Sequence, residues 1–222
     1  MGARCYVVPG PADVDLVTVT GARAATAYGE HVSSQIAGDF SRGERVVAAG
    51  GAYGIEGAAH RAALASGGDT IAVLANGVDR PYPAGHRELL DRIADVGLLV
   101  SEVPPRSVPT RQRFLARGRL MAALSGSTVV VEAGARSGAL HTAVEAQRLG
   151  RSVGAVPGPV TSVTSSGPHM LLRNGTAHLV TDGRDVEDLI NWAPGRGADR
   201  AAMGPEFAHR PVPSTDKPTR SM

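Results

Sequence analysis

Six short runs of apolar, mostly β-branched residues recur along the 222-residue chain, with a segment of helical length between each and the next. These runs show no polar alternation, which is typical of strands buried on both faces of a parallel sheet. They cover residues 17–19, 46–48, 71–74, 98–100, 128–131 and 153–156. The intervening segments 28–40, 57–65, 87–94, 114–124 and 139–149 carry apolar stripes at helical spacing. This alternation predicts an α/β fold with a doubly wound, mainly parallel sheet.

A shorter strand–helix pair, at 177–180 and 186–192, closes the predicted domain, which we place at residues 1–192. Beyond it the chain is rich in Pro, Gly, Ala and charged residues and lacks apolar periodicity. We therefore predict that residues 193–222 form a disordered tail. Its removal should leave the melting temperature of the domain unchanged.

The positive and negative charges of the chain nearly balance, at a net +2, so a surface for an acidic partner must come from local clustering. Lys217 is the only lysine, and arginine, which supplies the other cations, suits planar, bidentate phosphate contacts. Cys5 is the only cysteine, which excludes an internal disulfide. The N-terminus lacks the apolar core of a signal peptide, and no stretch approaches the roughly 20 apolar residues of a membrane span. We expect a cytoplasmic protein without a membrane partner.

Loops that contain glycine follow four of the predicted strands, the first, second, fifth and sixth, at the sheet edge where open parallel sheets bind their ligands. Glycine lets backbone N–H groups approach an anion, and the helix N-terminus behind each loop attracts negative charge. The same glycines would also serve the tight turns of any such fold. Neither a G-x-G-x-x-G nor a G-K-[ST] motif is present, which argues against a dinucleotide or nucleoside triphosphate. The candidate phosphate-binding residues are Gly21, Ala22, Arg23, Gly50, Gly51, Tyr53, Gly54, Ser137 and Gly138.

A basic segment without acidic residues runs between Glu102 and Glu132. It begins as a proline-broken loop and then enters a helix at about Phe114. Such a segment can contact several backbone phosphates, and Phe114 offers a surface on which a base can stack. The alternative is that Phe114 belongs to the core and the arginines form a solvated helix face. The cations are Arg106, Arg111, Arg113, Arg117 and Arg119.

Catalytic and metal-binding constellations are sparse. The histidines are dispersed and none has metal-ligand spacing, so we expect neither a metal nor another cofactor. His60 follows a glycine loop and is expected to cap or pack. Glu132 ends a strand, where we expect it to order a loop by accepting backbone N–H bonds rather than to react.

Together, the loops and the basic segment resemble the DprA/Smf family of DNA-processing proteins over residues 6 to about 190. The resemblance implies a single extended Rossmann-like domain that binds single-stranded DNA in a basic pocket, forms a homodimer, delivers DNA to the RecA recombinase and catalyses no reaction. It implies that Arg23 is the loop arginine, that Arg111 or Arg113 is the basic loop residue, and that Phe114 contacts a base. The Ser137–Gly138 turn would complete the phosphate site. The matching pieces are Gly21-Ala22-Arg23, Gly50-Gly51-Ala52-Tyr53-Gly54-Ile55, Gly77-Val78-Asp79-Arg80-Pro81-Tyr82-Pro83, Ser101-Glu102-Val103-Pro104-Pro105, Phe114 with Arg117 and Arg119, Val131-Glu132-Ala133 with Ser137-Gly138, and Val156-Pro157-Gly158.

Three departures from the family pattern bear on the ligand site. Gly118 stands between Arg117 and Arg119 where the family usually has Asn, Glu56 replaces a usual Asp, and His169 replaces an expected Asn. Loss of a side-chain amide is expected to alter the ligand contacts. We also expect a minimal core without the domains that often flank this fold.

Two other functions stay open at the level of sequence. One is a nucleotide-binding sensor. The other is a phosphoribohydrolase acting on nucleoside monophosphates, whose P-G-G-x-G-T-x-x-E loop resembles the segment from residue 132 to 142. That segment lacks the expected carboxylate, since Glu145 is the nearest downstream. Only DNA binding requires the basic segment, so changes at Arg113 and Arg117 would separate it from both alternatives.

Overall fold

A seven-stranded parallel sheet forms the centre of the protein. The structure is a computed structural model and describes residues 16–191. The strand order is β4-β3-β2-β1-β5-β6-β7, and every strand pair among these residues is parallel. The strands are β1 (Leu16–Thr20), β2 (Val46–Gly50), β3 (Thr70–Leu74), β4 (Leu98–Ser101), β5 (Ser127–Val130), β6 (Ser152–Ala155) and β7 (His178–Leu179).

Helices cover both faces of this sheet. They are α1 (Ala27–Arg42), α2 (Ile55–Ala65), α3 (Arg87–Val96), α4 (Arg111–Leu124), α5 (Gly138–Arg148), α6 (Ser166–Arg173) and α7 (Gly183–Asn191). One core joins α1, α2 and α7 to Val17 and Val19 of β1. A second core, on the other face, joins α4, α5 and α6 to Val130 and Val153. The predicted doubly wound α/β fold is confirmed.

Short polar side chains set where three of the helices begin. The hydroxyl of Thr26 accepts the Gly29 N–H at 3.2 Å and caps α1. Thr110 caps α4 by accepting the Arg113 N–H at 3.3 Å, and Ser137 caps α5 in the same way. Each cap satisfies one of the N–H groups that have no partner within the helix. Because Thr110 is a cap, α4 begins at Arg111, three residues before the predicted start.

One helix was not predicted, and one boundary lies outside the described residues. No helix was predicted where α6 lies, and its Gly167–Pro168 pair is typical of a turn. Proline is tolerated in the first turn of a helix, where its missing N–H would have no intrahelical partner. The predicted closing pair is present as β7 and α7. Cys5, the boundary at residue 192 and the predicted tail at 193–222 lie outside the described residues.

The order of the strands reverses between β1 and β5. From the centre of the sheet, strands β1 to β4 follow one another towards one edge, and strands β5 to β7 follow one another towards the other edge. The loops after β1 and β5 therefore diverge towards opposite faces of the sheet and leave a crevice between them. Across residues 16–191, none of the helices combines the length and the apolar character that crossing a bilayer requires.

Candidate functional site

The loops after β1 and β2 pack closely together beside this crevice. A Cβ on Gly21 would lie 2.6 Å from the Glu132 carbonyl oxygen and 2.7 Å from Ile55 Cγ1, so only glycine fits there. The Ala22 N–H donates to that carbonyl, and the Ala22 carbonyl accepts the Ile55 N–H at 3.2 Å. Gly54 has a φ of +72°, in the region that favours glycine. Gly21 and Gly54 therefore serve backbone packing, and they fix where the loop that follows β1 can lie.

An arginine–phenylalanine cluster stands at the mouth of the crevice. Arg23, exposed on the loop after β1, places its guanidinium carbon 4.5 Å from the centre of the Phe114 ring. The guanidinium carbon of Arg117, one helical turn along α4, lies 5.4 Å from the same centre. Both distances are within the range of cation–π attraction. We call these three residues the Phe114 stack.

A buried carboxylate holds Arg117 in the stack. Glu56 Oε1 accepts a hydrogen bond from Arg117 Nη2 at 2.9 Å, and the two side chains are only 3% and 11% exposed. The same carboxylate accepts from the Thr20 hydroxyl at 3.0 Å and the Ala52 N–H at 3.1 Å. A paired and buried guanidinium attracts an outside phosphate less than a free one. Arg117 is therefore placed to position the stack, while Arg23 supplies its exposed charge.

The Phe114 stack separates two pockets. The larger, of about 270 Å³, extends towards the N-terminus of α5. Besides the stack, its lining includes Gly21, Ser137, Gly138, His141 and Thr142. A Cβ on Gly138 would meet no atom within 4 Å, so this helix start is open to the pocket. The smaller, of about 70 Å³, lies on the other side, and its lining includes Gly51, Tyr53, Asn76 and Tyr82.

The other arginines of the basic segment differ in their surroundings. Arg111 is exposed at the start of α4. Arg113 donates from Nη1 to the Val108 carbonyl, which bends its side chain back onto the preceding loop. Arg119 forms an ion pair with Glu102 and, two residues after Arg117, projects from nearly the opposite side of α4. The segment is therefore not one uniform patch.

The structure brings most of the predicted site residues to the two pockets. Those that line the larger pocket are Gly21, Arg23, Phe114, Arg117, Ser137 and Gly138, and those that line the smaller include Gly51 and Tyr53. Ala22 and Gly54 support the loop that carries Arg23, and Gly50 packs against the Arg117–Glu56 pair. Three predicted arginines, Arg111, Arg113 and Arg119, line neither pocket, and Arg119 is paired with Glu102. His169 contacts the Gly158 carbonyl through Nε2 at 3.0 Å and lines neither pocket.

Glu132 has the structural environment that the sequence suggests. Its side chain is 2% exposed, and its carboxylate accepts the Thr26 N–H at 2.9 Å and the Thr26 hydroxyl at 2.7 Å. The Thr164 hydroxyl donates to the same group at 3.0 Å. Glu132 therefore orders the start of α1, as expected of a carboxylate that accepts backbone N–H bonds.

His60 is fully buried beneath the site. Its Nδ1 lies 2.8 Å from the Thr70 hydroxyl oxygen, and its Nε2 lies 3.1 Å from the Gly50 carbonyl oxygen. Burial lowers the pKa of His60 to about 4, against the attraction of the Glu56 carboxylate and the hydrogen bond to Gly50. The ring is therefore neutral near pH 7, and it packs, as the sequence analysis expects.

Several residues at the site were not singled out in advance. Glu56 entered only as a departure from a family pattern, and its pairing with Arg117 spans 61 positions. Tyr82 entered only within a segment that resembles the family, and Asn76 was not named; both follow β3, whose loop carries no glycine cluster. The signal that could have found Tyr82 is an aromatic side chain in a loop at the carboxyl edge of the sheet.

Comparisons with known proteins show the family of this chain. The sequence model of the family described as DNA recombination-mediator protein A matches residues 10–191. A Mycobacterium tuberculosis relative that carries the DprA name is 56% identical over 186 residues, which are 82% of this chain and 48% of the relative. The chain thus spans about half the length of that relative.

Two solved structures share the fold closely. The DNA processing protein A of Streptococcus pneumoniae superposes with a TM-score of 0.74 at 38% identity, covering 79% of this chain and 61% of that one. The Helicobacter pylori protein, whose structure concerns a unique single-stranded DNA binding mode, superposes with a TM-score of 0.72 at 28% identity and covers 78% of each chain. On the family match, the identity and the shared fold, this chain belongs to the DNA recombination-mediator protein A family, the DprA/Smf family of DNA-processing proteins.

Proposed function

We propose that this chain binds single-stranded DNA across the Phe114 stack and acts as a recombination mediator. The observation that carries the proposal is the exposed guanidinium of Arg23, held over Phe114 between two pockets at the point where strand order reverses. A cation and aromatic rings side by side suit a single strand, which offers phosphates and unstacked bases together. The family and the single-strand binding of the Helicobacter pylori relative support the proposal.

Individual cations contribute unequally in this proposal. Arg23 and Arg111 are exposed and form the main phosphate contacts. Ser137 and Gly138 offer the N-terminus of α5 to a further phosphate, where the helix dipole favours an anion. Arg117 and Arg119 are each paired with a carboxylate and contribute less charge to the strand. The contribution of Arg113 is intermediate, because the hydrogen-bond partner of its guanidinium is a neutral carbonyl rather than a carboxylate.

The proposed role is binding without catalysis. The two buried carboxylates near the crevice, Glu56 and Glu132, each accept three hydrogen bonds. A carboxylate saturated in this way is poorly placed to take a proton from a substrate.

Homodimer formation and delivery of the strand to RecA are part of the same proposal. They rest on the family, and light scattering and a RecA-loading assay would test them.

A labelled oligothymidine titrated by fluorescence anisotropy at several salt concentrations tests strand binding. We expect the protein to bind the oligothymidine in a salt-dependent manner, and we expect duplex DNA to compete poorly with it. Arg23→Ala should reduce the salt slope by about 0.7, the value of one phosphate contact on a single strand. Arg42→Ala is the matched control, because Arg42 is exposed at the far end of α1 and paired with Asp39.

Two outcomes of this titration would count against the proposal. Equal slopes and affinities for the wild-type protein and Arg23→Ala would remove Arg23 from the interface. No binding by the wild-type protein at low salt would refute strand binding. It would favour a mononucleotide in the larger pocket, which a thermal-shift screen of nucleoside monophosphates would then test.

A further inference from the structure

One buried residue, Glu132, connects three of the loops at the carboxyl edge of the sheet. It follows β5 and is 2% exposed. Its carboxylate accepts the Thr26 N–H and hydroxyl from the loop after β1, and the Thr164 hydroxyl from the loop after β6. Its backbone carbonyl accepts the Ala22 N–H at 2.6 Å. The loops that follow β1, β5 and β6 are therefore joined at this residue.

The contacts of Glu132 enclose the segment that carries Arg23. At one end of the segment Ala22 is bonded to the Glu132 carbonyl, and at the other end Thr26 is bonded to the carboxylate. On the side of β2, the Ala22 carbonyl accepts the Ile55 N–H at 3.2 Å. Arg23 is exposed between these fixed points. The backbone before Arg23 is thus held by other backbone groups, whereas the backbone after it depends on the carboxylate.

Glu132 also leads directly into the second proposed phosphate site. The Ser137 N–H donates to the Gly134 carbonyl at 3.0 Å, which forms the turn before α5, and the Ser137 hydroxyl caps that helix. Ala133, next to Glu132, donates its N–H to the Thr164 carbonyl at 2.7 Å, so the loop after β6 supports this turn. Glu132 therefore holds the loop after β1 at a defined distance from the N-terminus of α5.

The negative charge of Glu132 does not itself favour a bound strand. Glu132 lines neither pocket, so it is not placed to contact a strand in the crevice. A negative charge repels nearby phosphates, so on charge alone its removal would strengthen binding. The hydrogen bonds of Glu132 have the opposite effect, because two contacts held at a fixed spacing engage one strand at a higher effective concentration than two that move independently. An experiment can separate these two effects by their sign.

We propose that Glu132 is a positioning residue for strand binding, which acts through Arg23 by holding the loop after β1 at a fixed spacing from the N-terminus of α5. This inference rests on the proposed strand binding. It goes beyond the ordering of α1, because it makes the phosphate contact of Arg23 depend on a side chain that the strand does not reach. Without the carboxylate, the Thr26 end of the loop is released, and ordering it again on the strand costs binding free energy.

Anisotropy titration of oligothymidine at several salt concentrations tests this role, since the salt slope counts phosphate contacts. Glu132→Met keeps a side chain of similar length and removes the acceptor oxygens. We expect its slope to fall by about 0.7, the loss also expected for Arg23→Ala, and the double variant to lose no more than either single one. Glu132→Gln keeps an oxygen for the Thr26 N–H and has an amide that can donate to the two hydroxyls, so it should keep the wild-type slope.

Asp185→Leu is the matched control for the loss of a carboxylate. Asp185, in the first turn of α7, accepts the Thr181 N–H and hydroxyl, both at 2.7 Å. Neither residue lines a pocket of the crevice. The control therefore removes the same pair of bonds from a loop without a proposed strand contact. Its salt slope should equal that of the wild-type protein, even where its melting temperature falls.

The outcomes separate the positioning role from strand binding and from a general loss of stability. If the wild-type protein binds and a folded Glu132→Met protein keeps the wild-type slope or binds more tightly, the positioning role is wrong and the proposed function stands. If the double variant loses about 0.7 more than Glu132→Met, Glu132 does not act through Arg23 and the inference is again wrong. If the wild-type protein does not bind the strand, both proposals are wrong.

A second variant serves if Glu132→Met fails to fold, as judged by its melting temperature. Glu132→Asp keeps the charge on a side chain that is one methylene shorter, so its carboxylate cannot reach both Thr26 and Thr164. Its slope should also fall by about 0.7, and a wild-type slope for the folded variant would refute the positioning role equally.

Discussion

Acid should destabilise this protein through His60. The ring is buried, its pKa is lowered to about 4, and the unfolded chain has a His pKa near 6.5. The unfolded state therefore takes up a proton below about pH 6.5 that the folded state refuses until about pH 4. The contribution of neutral His60 to stability is complete above that range and is lost as the pH falls through it. Because one pKa unit is worth about 1.4 kcal/mol, the loss reaches about 3 kcal/mol, and about 2 kcal/mol by pH 5.

Urea denaturation between about pH 7.5 and about pH 5 measures this loss. His60→Gln removes the titrating ring and keeps an amide that can donate to the Gly50 carbonyl. The variant should be less stable at neutral pH, because it loses the contact with Thr70 and some packing. Its stability should nonetheless fall by about 2 kcal/mol less than that of the wild-type protein over this range.

His31→Gln is the control, because His31 is exposed on α1. Its pH dependence should match that of the wild-type protein. Parallel pH curves for the wild-type protein and His60→Gln would refute the reasoning, since they would mean that His60 is not held neutral by burial. A stability that rises as the pH falls would refute it more directly, because the sign would be reversed.

Two further changes test how the Phe114 stack is built. Glu56→Gln should lower the free energy of unfolding by about 3 kcal/mol, because it leaves the Arg117 guanidinium buried without its carboxylate. Urea denaturation measures this, and a loss below about 0.5 kcal/mol would show that the pair behaves like an exposed one. Gly50→Ala should weaken oligothymidine binding about tenfold in anisotropy titrations, because its Cβ would collide with Arg117 Nη1 and displace the stack. Wild-type affinity in a folded Gly50→Ala protein would mean that binding tolerates a displaced Arg117.

The sequence predicts the sheet well because the apolar pattern of each strand depends on whether one or both of its own faces are buried. A run such as residues 128–131 is buried on both faces and reads as continuously apolar, whatever its neighbours in the sheet. Positions at the strand ends follow from the same periodicity. Arg23, Ser137 and Gly138 could therefore be placed at one edge before the fold was known.

Contacts between distant segments could not be predicted in the same way. The absence of acidic residues between Glu102 and Glu132 indicated a basic patch, yet Glu56 pairs with Arg117 and Glu102 itself pairs with Arg119. Which carboxylate meets which arginine depends on strand order and on the helix face, and neither is written in a local pattern. Tyr82 was not assigned to the site for the same reason, since it becomes significant only beside Phe114.

The pairing of β1 with β5 also determines when the site can exist as the chain is made. Val17 of β1 pairs with Ser127, whereas β1 to β4 pair in chain order within the first half of the protein. During synthesis β1 to β4 can associate while one edge of β1 stays unpaired, because β5 has not yet left the ribosome. An open edge of this kind invites pairing with other chains. The residues that meet at the crevice come from both halves of the chain. A nascent chain therefore acquires its binding surface only after β5 has paired with β1. Slow or failed pairing would yield an aggregation-prone sheet rather than a folded protein that binds weakly.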